Sequence, residues 1–314
     1  ADADVAALKK EFYTTFFGLE AGPLVQQWWD EIEKALAATT MHCHEDWLVN
    51  HVYTVPFMKR IHEYVAKAGA CAMTPKQKER FQAFELIADH LEGFAAMGEA
   101  EQNMDYAAAA REGQRMEDDK AKLIAMYSFF MGPTKHPDFV NGWVSRFTNL
   151  VQMVNGQAGT LVAAVPLDAK FTRDPFNEGV LAQWYLPEYN DSAWGTKNTF
   201  LTWDAQDKPE DSKGHDYDGH GWYRVTVNVP ADAVNKPLKL HLGGVINEGW
   251  VWINGEYAGH RPWDLWWAGR KPLEMDADVT GKVQAGPNTI AIRVWNNAEI
   301  GGLYRRGFLW SPKN

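Results

Sequence analysis

Two hydrophobic periods divide the chain. Up to residue 158 the apolar positions recur every three or four residues, the spacing of one face of an α-helix. Val5, Leu8, Phe12 and Phe16 predict a helix over 4–17, which Gly18 stops. Pro23 reads as a first-turn residue ahead of a stripe of Leu24, Trp28, Ile32 and Leu36. Thr54 reads as the N-cap of a helix through Phe57, Ile61 and Val65. Thr74-Pro75 reads as a cap followed by a first-turn proline, with Phe81, Phe84, Ile87, Leu91 and Phe94 beyond. Asn103 reads as the start of a helix through Tyr106, Met116, Leu123 and Tyr127. The sixth, from Pro137, carries Phe139, Trp143, Phe147, Leu150 and Val154. Six amphipathic helices with short connections predict a bundle.

After residue 158 the period drops to two. Residues 223–229 alternate strictly, with Tyr223, Val225, Val227 and Val229 on one face, and Pro230 ends the run. Residues 238–242 and 289–295 alternate in the same way. Residues 250–253 lead into Asn254-Gly255, a strong hairpin signal. Many short strands separated by such turns predict an antiparallel β-sandwich or jelly roll. The fold class is therefore α + β, an N-terminal helical bundle followed by an antiparallel sandwich.

Composition places the boundary. Of 15 Trp, 4 lie in residues 1–158 and 11 in 159–314, whereas 9 of 10 Met lie in the first half. The step falls in the Asn155–Gly159 stretch and predicts a bundle over 1–158 and a sandwich over 159–314. The 314 residues carry a net charge of −10, which argues against a nucleic-acid partner, since that would need a basic face. No apolar run approaches the roughly 20 residues of a membrane span. Cys43 and Cys71 cannot make a disulfide framework or a four-cysteine zinc site. The chain opens Ala-Asp-Ala-Asp, which reads as a processed chain or a piece of a longer one.

Candidate chemistry is sparse in the helical half. His42, His44, His51 and His62 lie near Cys43, Glu45 and Asp46, but a helix would splay His42 and His44, and the spacing fits no zinc pattern. Packing and interhelix hydrogen bonds account for them, and the methionines read as core filler. Neither half predicts a catalytic residue or a bound metal. Glycoside hydrolysis needs two carboxylates about 5–9.5 Å apart. Asp174, Glu178, Glu188, Asp191, Glu248 and Glu256 are the acids available, with Asp174 and Asp191 in turn motifs and Glu248 and Glu256 bracketing a hairpin. Asp216 and Asp218 have the spacing that opens a Ca²⁺ loop but lack its later bidentate Glu, so a solvated turn accounts for them and no cofactor is expected.

The segment 259–270 is different. Trp263, Trp266 and Trp267 stand among His260, Arg261, Asp264 and Arg270. Sugars lay their C–H faces on aromatic rings and exchange hydrogen bonds with such polar groups, so these seven residues are the candidate carbohydrate site. The alternative is that the rings pack into the sandwich or against the helices, because a buried Trp is strongly stabilising.

Six stretches of the second half occur in the order of a known pattern. They are Phe171-Thr-Arg-Asp174-Pro175, the run Pro187–Trp194, Gly221-Trp222-Tyr223-Arg224, Val251-Trp252-Ile253-Asn254-Gly255, Gly286-Pro287-Asn288-Thr289-Ile290 and Gly301-Gly302-Leu303. Together they resemble the galactose-binding-like jelly roll at the N-terminus of glycoside hydrolase family two enzymes. Asp4-Val5, Phe12-Tyr13, Phe17-Gly18 and Trp28-Trp29 resemble the helical region that follows the barrel in α-glucuronidase-like glycosidases.

The resemblance implies a non-catalytic, carbohydrate-binding or scaffolding region of a larger carbohydrate-active enzyme. Its catalytic barrel, roughly 250 residues, would lie upstream. It also implies an extracytoplasmic or secreted setting. Two other readings stand beside it: an assembly protein that docks a partner subunit through the Trp-rich loop, and a glycosidase whose site lies between the two domains.

Overall fold

A computed structural model describes residues 4–39, 51–127, 139–207, 217–265, 272–298 and 300–313. The chain is an α + β protein, with helices throughout the first half and antiparallel strands throughout the second. It divides into two compact units, which among the described residues comprise 4–39 with 51–148, and 149–313.

The helical unit is built from α1 (Val5–Phe17), α2 (Ala21–Ala38), α3 (Val55–Gly69), α4 (Pro75–Gln102) and α5 (Tyr106–Met126). It also takes in the first turns of α6 (Phe139–Val154), which runs past the cut between the units. Caps set several of the starts. The Thr54 side chain accepts from the Phe57 amide, and Thr74 with Gln77 forms a reciprocal capping box. Asn103 ends α4 rather than starting α5. Asp105, two residues on, caps α5 by accepting from Ala108 N at 2.9 Å.

Most of the expected stripe of α1 faces away from the core, and of its four residues Phe16 alone packs against it. Val5, Leu8 and Phe12 are more than half exposed, and Phe17 is the buried residue. Aromatics at 12, 13, 16 and 17 make two adjacent i,i+4 stripes, and the core took the one carrying Phe17. Likewise α2 buries Ala21, Val25, Trp28 and Ile32, while Leu36 is exposed and Pro23 is the helix's third residue. Trp28 stands edge-on to Phe84, ring centres 5.3 Å apart. Met58, Met97 and Met116 are buried, as core filler should be.

The β unit has ten strands: β1 (Gly159–Ala164), β2 (Asp168–Asp174), β3 (Gly195–Asn198), β4 (Gly219–Val229), β5 (Lys239–Leu242), β6 (Glu248–Ile253), β7 (Glu256–Arg261), β8 (Met275–Asp278), β9 (Gly286–Asn296) and β10 (Phe308–Pro312). They form a four-stranded sheet, β1-β10-β5-β8, and a six-stranded sheet, β3-β2-β4-β9-β6-β7, with antiparallel pairings throughout. The sandwich core lies between them. Tyr223, Val225, Val227, Ile253, Ile290 and Ile292 of the larger sheet meet Leu240, Leu242, Met275 and Leu309 of the smaller one. The alternation read from residues 223–229 and 289–295 therefore faces inward as expected. Asn254 and Gly255 both adopt positive φ, 51° and 87°, which the two-residue turn between β6 and β7 requires. Asn254 also donates its amide to Asn288 at 2.8 Å, tying that turn to the start of β9.

Candidate functional site

Inward alternation on the six-stranded sheet forces the intervening residues outward, and register aligns them across four strands. One rung reads Trp222, Arg293, Trp250, His260 on β4, β9, β6 and β7. The next reads His220, Trp295, Glu248, and the one on the other side Arg224, Ala291, Trp252, Tyr257. The outer face is thus as aromatic as the core, with charged groups interleaved.

Part of this face is roofed by the segment 177–194. Trp184, Trp222, Trp252 and Ala291 form a second buried cluster, with Tyr185, Tyr189 and Trp194 packed against it. Trp222 stacks on Trp252 at 5.2 Å, and Tyr185 stacks on the same Trp252 at 5.4 Å. Two polar clamps hold the roof. Arg224, almost fully buried, donates to Asp191 Oδ2 at 2.8 Å and to the Leu186 carbonyl at 2.9 Å. Asp174 accepts from the amides of Glu178 and Gly179 and from Trp222 Nε1, at 2.8, 3.0 and 2.9 Å. Asp174 therefore works as a turn carboxylate, while Asp191 is the partner of an arginine thirty-three residues away.

Beyond the roof the rungs stay partly open. Trp250 sits between the Arg293 guanidinium, 4.6 Å from its ring centre, and the His260 ring, nearly parallel at 5.0 Å. Glu248 Oε1 lies 2.7 Å from His260 Nε2. Trp263 is 37% exposed, and its Nε1 donates to Asn297 at 3.0 Å, just past the end of β9. Half-buried Trp295 completes the group. With Arg293 and His260 packed against Trp250, Trp263 and Trp295 are rings at this end that offer surface to a ligand. Glu248, His260 and Arg293 supply the polar edge.

The candidate residues read from the sequence separate. His260 and Trp263 stand on this open end. Arg261 and Asp264 are buried. Arg261 donates to the Pro272 carbonyl at 2.9 Å and to the Asn247 carbonyl, and the Asp264 amide donates to that same carbonyl at 3.1 Å, so both pin the loop. Trp266, Trp267 and Arg270 lie outside the described residues, as do Asp216 of the proposed Ca²⁺ loop and the His42–Asp46 run. Glu248, Arg293, Trp295, Trp250 and His220 form no short motif, and the sequence does not single them out together.

His220 carries the clearest electrostatic signature. Burial, and then the Arg293 charge, lower its pKa from the usual 6.5 to about 4. Its Nε2 lies 3.0 Å from Arg293 Nη2 and accepts that proton. The unfolded chain takes up a proton near pH 6.5 and the folded chain only near 4. This stabilising contribution is therefore complete above 6.5 and declines as the pH falls toward 4. His220→Gln should flatten that decline, seen as urea midpoints of the two proteins converging between pH 6.5 and 4. Parallel curves would contradict the assignment.

The β unit is a two-sheet antiparallel sandwich whose sequence is similar to all-β domains of glycoside hydrolases. Residues 178–299 match the family model described as "Beta-galactosidase second all-beta domain". Among curated relatives, a Formosa agariphila protein named "Putative beta-glucuronidase" is 30% identical over 117 residues, 35% of this chain and 10% of that protein. A Priestia megaterium "Beta-galactosidase" is 29% identical over 106 residues, 30% of this chain and 10% of that protein. The chain thus spans about a tenth of the length of these two relatives. A solved β-glucuronidase from Ruminococcus gnavus aligns over 50% of this chain and 29% of its own, with 17% identity and a TM-score of 0.42. No helix among the described residues is long and apolar enough to cross a membrane.

Proposed function

We propose that this chain is a non-catalytic ancillary region of a larger glycoside hydrolase, and that it contacts carbohydrate through the open end of its six-stranded sheet. Residues 1–158 form its helical domain and 159–314 its galactose-binding-like sandwich, and the catalytic barrel belongs to another part of the same polypeptide. One observation carries the binding role: sheet register gathers Trp295 with Glu248, His260 and Arg293, and the Trp263–Asn297 hydrogen bond brings Trp263 to the same end of β9. Ring faces offer stacking to sugar C–H groups, and the polar edge offers both donors and acceptors. The names of the relatives agree with a carbohydrate-active parent, and their greater length agrees with a catalytic part outside these residues.

The acids support a non-catalytic role. Glu248 and Glu256 sit at opposite ends of the β6–β7 hairpin, since Glu256 pairs with Ile253. Five strand steps separate those ends by about 16 Å, beyond the roughly 5–9.5 Å that glycoside hydrolysis uses. Asp174 and Asp191 are committed to the roof.

Titrating a panel of neutral and uronic oligosaccharides while following tryptophan fluorescence tests the reading. Trp263→Ala should weaken binding roughly 2- to 10-fold, the worth of one aromatic contact, while the melting temperature changes little. A wild-type chain that binds no member of the panel would refute the binding role. Turnover of aryl glycosides that disappears with Glu248→Gln would refute the non-catalytic one.

A further inference from the structure

The helical unit carries a second cluster of chemistry, unrelated to the sheet. Glu85, Asp89 and Glu92 occupy positions i, i+4 and i+7 of α4, a spacing that lines them along one helix face. Like charges so placed repel; Glu85 is exposed, whereas Asp89 and Glu92 are half-buried. Burial raises the carboxyls of Glu85 and Asp89, and the mutual repulsion of the two raises Glu85 further. Arg115 pairs with Glu112 at 2.9 Å and Lys122 with Asp119 at 2.8 Å, and the charges of both also act on Asp89.

Facing this stripe from α3 is His62. Its Nδ1 lies 3.2 Å from Glu92 and its Nε2 lies 3.7 Å from Asp89. His62 is the only ion-pair partner of either acid among the described residues. One ligand atom from each of His62, Asp89 and Glu92 lies within 4.8 Å of the other two. Ligands about 2.1 Å from a common ion sit roughly 3.4–4.2 Å apart, so small side-chain rotations would close the set. His62 Nδ1 is buried and has no hydrogen-bond partner among the described residues, and the two ring nitrogens each lie beside a different carboxylate.

We propose that His62, Asp89 and Glu92 form a divalent-metal site bridging α3 and α4. One imidazole and two carboxylates suit Zn²⁺, and also Mn²⁺ or Fe²⁺, with the remaining positions open to water. The ion would offset the stripe's repulsion and add a cross-link between two helices that already pack together through the core. The sequence hid this set because its members lie 27 and 30 positions apart, so no short motif forms.

The test is calorimetric titration of the full chain, stripped with a chelator, using Zn²⁺ and then Co²⁺, whose visible bands report coordination geometry. The site predicts saturable binding with a rise in melting temperature. It also predicts at least a 10-fold loss of affinity in Glu92→Gln and in His62→Ala, since even outer-sphere changes cost 10–100-fold. Glu92→Gln keeps shape and helix propensity, so it remains informative if His62→Ala folds poorly. A His42→Ala, His44→Ala double variant should bind as the wild type does. Absence of binding, or binding lost in that double variant and retained in Glu92→Gln, would overturn the proposal.

Discussion

Replacing Arg224 by alanine is expected to destabilise the β unit by about 3–5 kcal/mol, the cost of breaking a buried charged pair by removing one partner. Arg224 is 5% exposed and holds Asp191 together with the carbonyls of Trp184, Leu186, Pro187 and Tyr189. Without it five acceptors lose a donor at once, four of them main-chain carbonyls. The roof over Trp222 and Trp252 should loosen, so a dye that fluoresces on apolar surfaces should respond before global unfolding. Arg224→Lys should recover only part of the loss, because an ammonium cannot reproduce the planar fork that serves several acceptors. Urea denaturation of the three proteins measures both effects. An alanine variant within 1 kcal/mol of the wild type would mean that the clamp is ornamental.

The second large effect belongs to the helical unit. Trp28→Ala should cost about 3–5 kcal/mol there, as a Trp truncation does when its neighbours cannot collapse into the void. Trp28 is 1% exposed and meets Phe84 and Trp29 edge-on, so its ring fills space that α2 and α4 share. Its indole Nε1 is buried and has no hydrogen-bond partner among the described residues. Trp28→Phe should therefore cost clearly less than Trp28→Ala, because it deletes the unpaired donor while keeping most of the ring. Loss of helical circular dichroism on heating gives the order; equal losses for Phe and Ala would contradict it.

These effects show what a linear reading can reach. Period-two alternation from Tyr223 to Val229 is a local property, and it specified strand, face and core together. The Asn254-Gly255 turn was legible for the same reason, since only those residue types accept two positive φ values cheaply. Thr54 and Thr74 announced two helices through caps that need nothing beyond the next three residues.

Elsewhere the answer depended on partners. In α1 the choice between the Phe12–Phe16 and Tyr13–Phe17 stripes belonged to α2 and α4, so the pattern of α1 alone pointed to the wrong face. Asn103 and Asp105 are both plausible caps, and only backbone geometry decides between them. The candidate site was half legible. His260 and Trp263 stood out because their segment is dense in aromatics and polar groups. Arg261 and Asp264 share that segment but are turned inward to hold the Asn247 carbonyl. Glu248, Arg293 and Trp295 join the site through strand register, which links residues up to 47 positions apart and leaves no mark on any short stretch. The Arg224–Asp191 clamp was hidden in the same way, because Asp191 looked like an ordinary turn residue.

The reading of the open sheet end as a sugar-facing surface is tested most directly by ¹H–¹⁵N NMR of the tryptophan indole groups, each assigned by a single Trp→Phe replacement, during titration with neutral and uronic oligosaccharides. The account predicts that the indole signals of Trp263 and Trp295 shift progressively with one class of sugar, while those of the buried Trp28, Trp203 and Trp222 stay in place. A panel in which neither Trp263 nor Trp295 responds would contradict it.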